Sequence, residues 1–176
     1  AYDMALKNKN TAVFTAARTE ERETPFKWVG PIAPRKINLY KLKRRTDIKV
    51  STLEDAKKYI VGTIRGYAAE KTLLNKGFEI GKNIEQVTLN IQNIKKIYAN
   101  RIDLMTSFDL LIVYTVKGTQ YSFDDFEKVL VIDDKHDFYY AFNKETDDAD
   151  VARFQQVLDN MKADGRYNNL LEKYTK

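Results

Sequence analysis

Val151, Phe154, Leu158 and Met161 recur at helical spacing, the stripe of a helix packed on a sheet, and Gly165 stops it. Upstream of that helix, short apolar runs alternate with further helical stretches. Thr11 to Thr15, Ile37 to Tyr40, Tyr59 to Ile64, Glu85 to Leu89, Leu104 to Thr106, Val129 to Ile132 and Phe138 to Phe142 read as strands. Between them the pattern predicts helices. One runs from a capping box over Ser51 to Glu54 to about Lys58, one from Tyr67 to Lys76 closed by Gly77, and one carries Ile91, Ile94, Lys95 and Tyr98 behind Asn90 as N-cap. Phe108 to Lys117 reads as an apolar helix stopped by Gly118, although Leu110 to Thr115 also suits a strand; strand–helix alternation favours the helix. Met4 to Leu6, before the polar Lys7 to Asn10, reads as the end of a helix, so the sequence opens inside one. The alternation makes the chain α/β with parallel sheets, whose ligands bind beyond the carboxyl ends of the strands.

The stretch from Thr15 to Ile32 is chemically the densest. A strand ends in Ala16-Ala17, Thr19 offers a hydroxyl N-cap, Glu20 and Glu21 occupy the favoured first turn, and Arg22 falls on that same turn. A guanidinium placed there reaches back over the strand end and grips a carboxylate in a two-pronged geometry that lysine cannot supply. A plainer reading stands beside it, in which Arg22 pairs with Glu20, Glu21 or Glu23 on a solvated face. A second junction lies at Arg65-Gly66, where the first amides of the next helix, at Tyr67, Ala68 and Ala69, favour an anion. A third strand end carries Thr106-Ser107-Phe108-Asp109.

Four stretches carry a resemblance. Thr19-Glu20-Glu21-Arg22-Glu23 with Phe26-Lys27-Trp28-Val29-Gly30-Pro31 is similar to the T-x-x-R-E…F-x-W-V-G-P signature of family 3 extracellular solute-binding proteins. Ser51 to Ala56 before Ile60 to Gly66, then Asn100 to Leu104, then Gln155 to Tyr174 follow in the family's order, so the resemblance covers essentially the whole chain. It implies a periplasmic-binding-protein-like type II fold: two doubly wound lobes joined by a hinge, residues 1–40 and 140–176 in lobe 1 and 41–139 in lobe 2. Crossings are then expected at Tyr40 to Lys43 and at Asp137 to Tyr140. Lobe 1 is incomplete at its N-terminus relative to the family pattern, by two βαβ-sized pieces of on the order of 60 to 80 residues. The resemblance also implies an exposed sheet edge and self-association of such a chain.

The implied function is a receptor of an ABC importer. It captures a small amino-acid-like, carboxylate or aromatic solute between its lobes, with an inner-membrane permease as partner and a periplasmic or membrane-associated extracellular location. No catalytic residue, metal or cofactor is implied. Alternatives of the same fold are a cyclohexadienyl-dehydratase-like enzyme and the ligand-sensing domain of a signalling protein. By analogy Arg22 holds the solute's carboxylate, helped by Thr15, by the Ala17 amide and by Tyr67 and Ala68. The chain departs from the family where hydroxyl residues are common, at Ala17 and Ala68, and where an ammonium-binding aspartate is expected, at Phe108. Asp109 is one step along and turned elsewhere. Tyr67, Phe108 and Phe14 can instead offer aromatic faces, with Phe108 equally suited to the core.

Composition narrows the field further. The 176 residues are 43% hydrophobic and 31% charged, with net charge +5. The thirty basic residues are dispersed among twenty-five acidic ones, and the single basic run, Lys41 to Arg45, lacks interleaved aromatics. A nucleic-acid partner is therefore not expected, and the run reads as a solvated edge. With no cysteine there is neither a disulfide framework nor a thiolate metal site. His136, the single histidine, reads as a solvated turn residue in Asp133 to Asp137. No stretch approaches a membrane span and no signal peptide is visible, so an exported receptor would be present here as a mature or trimmed chain.

Overall fold

The computed structural model describes residues 1–135 and 137–175, with side chains through Lys173; the expectation for His136 lies outside the described residues. In chain order the elements are α1 (Tyr2–Lys7), β1 (Ala12–Ala17), α2 (Glu20–Glu23), β2 (Phe26–Ala33) and β3 (Ile37–Leu42). Next come α3 (Leu53–Ala56), β4 (Val61–Ile64), α4 (Ala68–Asn75), β5 (Ile84–Val87), α5 (Asn90–Tyr98) and β6 (Leu104–Ser107). They are followed by α6 (Asp109–Val116), β7 (Phe126–Asp133), β8 (Phe138–Asn143), α7 (Asp148–Ala163) and α8 (Arg166–Thr175). The chain forms two compact units, Ala1–Arg35 with Asp134–Tyr174, and Lys36–Asp133.

In the first unit β8 lies between β1 and β2 and runs antiparallel to both. Strand alternation sends neighbouring residues of β8 to opposite faces. Ala141 joins Ala5, Ala16 and Phe26 in one cluster, and Phe142 joins Val29 and Leu158 in the other. Thus α1 covers one face and α7 the other. Asn143 fastens α1 by donating to the carbonyls of Ala5 and Leu6 at 2.8 and 2.9 Å, which satisfies acceptors at a helix C-terminus. In α7, Leu158 is buried while Phe154 remains 53% exposed with its ring 5.0 Å from that of Phe142.

The second unit has the strand order β5-β4-β6-β3-β7. Pairings of β4 with β5 and with β6 are parallel, whereas β3 is antiparallel to β6 and β7. Each parallel step from β4 onward carries a crossover helix, α4, α5 or α6. All six residues of β3 are buried. Leu39 packs with Val61, Leu73 and Leu104 on one face, and Tyr40 and Leu42 with Ile94, Met105 and Ile112 on the other. Helices on both faces fulfil the doubly wound expectation here.

Several local expectations change. The sheets are not wholly parallel: β3 enters its sheet from the edge at which β4, β5 and β6 end, so it must run against β6, and the sheet of the first unit is antiparallel throughout. The capping box sits one residue later, with Thr52 accepting from the Asp55 amide and Asp55 accepting from that of Thr52. Thr19 occupies the N-cap position of α2 without a side-chain cap hydrogen bond. Asn90 is the first residue of α5, and Gln92 reaches back to the Thr88 and Leu89 amides at 3.0 Å. Lys41 is not solvated but 5% exposed, donating to the carbonyls of Arg45 and Ile48 and pairing with Glu127 at 3.3 Å. Glycine stops hold as read: Gly77 has φ +82°, its amide donates to Leu74 and that of Phe78 to Leu73, the two bonds of a Schellman motif.

Candidate functional site

In the first unit the corner between β1 and α2 forms as its residues suggest. The Arg22 amide donates to the Thr19 carbonyl at 2.9 Å, and its guanidinium reaches back through Nη1 to the Ala17 carbonyl at 3.4 Å. That guanidinium also lies 5.1 Å from the centroid of the Tyr2 ring, a cation–π contact. Among the described residues no carboxylate pairs with Arg22. Glu23, one of the competitors expected for it, is gripped in two-pronged fashion by Arg18. The hydrogen bonds from Arg18 hold the Glu23 carboxyl below its ordinary range. Arg18 in turn lies 5.8 Å from the Trp28 ring and 5.6 Å from that of Tyr139.

Thr15 has φ +55° and turns its hydroxyl onto the Phe14 carbonyl at 2.7 Å. Phe14 is 65% exposed. An open cavity of about 480 Å³ beside this corner is lined by Arg18, Thr19, Glu20, Glu23, Lys135, Asp137 and Tyr139, not by Thr15, Ala17 or Arg22.

In the second unit Tyr67, Ala68, Phe108 and Asp109 meet at one edge, because β4 and β6 are parallel neighbours that end side by side. Gly66 has φ +76°, the left-handed conformation that glycine adopts without steric cost. The Tyr67 amide donates to the Ile64 carbonyl at 3.1 Å and so is not a free anion donor; Ala68 and Ala69, at the start of α4, have no intrahelical acceptor. Tyr67 is 55% exposed and Phe108 is half-buried at the start of α6.

Two arrangements at this edge, one buried and one half-exposed, escape sequence reading. Glu70, only 6% exposed, accepts from the Gly66 amide at 3.0 Å, the Thr63 hydroxyl at 2.9 Å and Gln86 Nε2 at 2.7 Å. Burial pushes the Glu70 carboxyl up, but the bonds from Gly66, Gln86 and Thr63, with nearby Arg65, outweigh burial and hold it below the ordinary glutamate range. One signal for it was available, since Glu70 stands three residues after the N-cap position, from which glutamate reaches back. Asp109 likewise accepts from the Tyr40 hydroxyl at 2.7 Å through Oδ1 and pairs with Lys128 at 2.5 Å through Oδ2. Burial, reinforced by Asp109, pushes the Tyr40 phenol well above its ordinary range. No local pattern connects these residues.

Beside this edge lies a groove of about 360 Å³ lined by Arg65, Gln86, Val87, Thr88, Gln92, Lys95 and Lys96. Lys96 is paired with Glu85 at 2.6 Å. Among the described residues Arg65 and Lys95 have no carboxylate within ion-pair distance, and no cluster of His, Cys, Asp or Glu could hold a metal. No described helix is long and apolar enough to cross a membrane.

No protein-family model matches the chain, and no curated protein matches its sequence. Solved structures match its fold. An amino acid ABC transporter substrate-binding protein from Streptococcus pneumoniae Canada MDR_19A, bound to L-arginine, superposes with TM-score 0.74 at 18% identity over 99% of this chain and 71% of that one. An arginine 3rd transport system periplasmic binding protein from Legionella pneumophila gives 0.67 at 18% over 97% and 75%. A histidine kinase sensor domain with similarity to periplasmic binding proteins gives 0.71 at 16% over 98% and 73%. Mixed open sheets, crossover helices and these likenesses agree: the chain has the periplasmic-binding-protein type II fold of amino acid ABC transporter substrate-binding proteins.

Proposed function

We propose that the protein is the solute-binding receptor of an ABC importer, taking a small carboxylate-bearing solute and closing two lobes over it about a hinge. The observation that carries this reading is the Arg22 corner. A half-buried guanidinium stands over the end of β1 at Ala17, stacked on Tyr2, with no carboxylate of its own among the described residues. An arginine so held, with one of its rival carboxylates, Glu23, taken by Arg18, is ready for an anion in two-pronged geometry. Thr15, Ala17, Tyr67, Ala68, Phe108 and Asp109 are the other residues assigned to the solute's surroundings, and two lobes meeting near residues 40 and 140 form the hinged body. The permease is the membrane partner, and the periplasm or outer cell surface the location. A neighbour of this fold bound to L-arginine and another from an arginine transport system support the importer reading. The sensor-domain likeness supports a second one, in which the same clamp reports its ligand to a kinase.

Thermal denaturation against a panel of amino acids, small carboxylates and sugars tests the first reading. A ligand at about a hundred times its dissociation constant adds roughly 2.7 kcal/mol, a midpoint rise of several degrees. A rise with a carboxylate compound that vanishes in Arg22→Ala supports the proposal; a rise with sugars alone contradicts it.

A further inference from the structure

At the edge where β4, β5 and β6 end, the charges of the second unit are unevenly used. Each acidic group there is already satisfied. Glu70 is buried under three donors. Asp109 has one oxygen on the Tyr40 hydroxyl and the other on the Lys128 ammonium. Asp133, which pairs with Ile37 at the far side of the same edge, is also engaged. Cations at this edge are used differently. Arg65 follows directly on β4, is exposed, and lines the groove of about 360 Å³ with Lys95 and the amide side chains of Gln86 and Gln92. In the first unit Arg22 repeats the arrangement, a guanidinium at a strand end without a carboxylate partner among the described residues.

We infer that the solute is an anion without an ammonium group, met by guanidinium charge, with Arg65 a specificity-determining residue. This inference rests on the receptor reading above. A carboxylate or other oxyanion gains from a guanidinium that has no ion-pair partner and stands in the wall of a groove. An ammonium gains little there, because the one carboxylate half-exposed at the ends of β4 and β6, Asp109, already has the Tyr40 hydroxyl on one oxygen and the Lys128 ammonium on the other. An α-amino acid brought to such a site would leave its ammonium desolvated without a counter-charge, a penalty that selects against it. Lys128 is thus the residue that keeps Asp109 from serving cationic ligands.

Titration calorimetry with matched compounds tests the inference: glutarate and benzoate as anions without ammonium, L-glutamine and L-arginine as compounds that carry one. The expected result is that an anion binds at least tenfold tighter than either amino acid. Arg65→Gln is expected to weaken that anion by roughly threefold to tenfold, the scale of one partly exposed charge contact. Lys128→Met releases Asp109 and is expected to narrow the gap by improving the amino acids, a change that a merely structural lysine would not produce. Unliganded melting temperatures of both variants establish that they fold. If either amino acid binds as tightly as the anions, the inference is overturned and the receptor reading stands. If an anion binds but neither variant alters the preference, the assigned roles of Arg65 and Lys128 are overturned. If nothing in this panel or the wider one binds, the receptor reading fails and the inference with it.

Discussion

The Tyr40 hydroxyl, on a side chain 1% exposed in β3, donates to Asp109 Oδ1 at 2.7 Å across the sheet of the second unit. Asn38 donates to the same hydroxyl at 3.2 Å, and Lys128 holds the other oxygen of Asp109. Strand β3 and the start of α6 are therefore joined by one polar chain that runs from the buried Asn38 and Tyr40 out to the half-exposed Asp109 and Lys128. Hydrogen bonds to ionised groups contribute about 1.5–3 kcal/mol net, so Tyr40→Phe is expected to lower stability by about that amount. Urea denaturation with an unchanged slope checks it; a loss under about 0.5 kcal/mol would mean that Asp109 finds its partner elsewhere.

The Glu70 clamp predicts a pH dependence. Because its carboxyl is held below the ordinary glutamate range in the folded chain, the stability it contributes is fully present above the unfolded value of about 4.3 and is lost as pH falls through the folded one. Glu70→Gln cannot titrate. The stability gap between the wild type and this variant should shrink as pH is lowered from about 6 toward 3, read by denaturant titrations at each pH. A gap independent of pH would contradict the clamp.

Gly62 marks a close approach of α5 to β4. A Cβ built there would lie 2.5 Å from Asn93 Oδ1 and 2.5 Å from Ile102 Cδ1, both on side chains that are buried. Overpacking of this kind typically costs about 1–3 kcal/mol, which at this chain length lowers the melting temperature by roughly 2–4 °C per kcal/mol. Gly62→Ala should therefore melt several degrees earlier, whereas Gly81→Ala, with open space around its Cβ, pays only the strain of its φ of +82°. Equal effects at the two positions would show that crowding at Gly62 is relieved.

What was legible in the sequence was local. Glycines 66, 77, 118 and 165 were read as turns or helix stops, and all four have positive φ. Strand β2 escaped because Pro25, Gly30 and Pro31 break its alternation. The direction of β3 could not be read, since hydrophobic period says which residues are inside but not which way a strand enters a sheet. The resemblance pointed to Arg22 and to the departure at Phe108, but the neutralisation of Asp109 depends on Tyr40, 69 residues away, and Lys128, 19 away. No spacing rule reaches such pairs. Arg18 is illegible for a related reason: its partners Trp28 and Tyr139 are brought to it only once β8 lies between β1 and β2.

The central claim is that Arg22 holds the solute's anionic group, and titration calorimetry on Arg22→Ala and Arg22→Lys tests it most directly. The account predicts that the carboxylate ligand found with the wild type loses at least a hundredfold in affinity in Arg22→Ala. Arg22→Lys should recover only part of it, because an ammonium cannot reproduce the two-pronged contact. Wild-type affinity in Arg22→Ala, with the variant folded, would contradict the account.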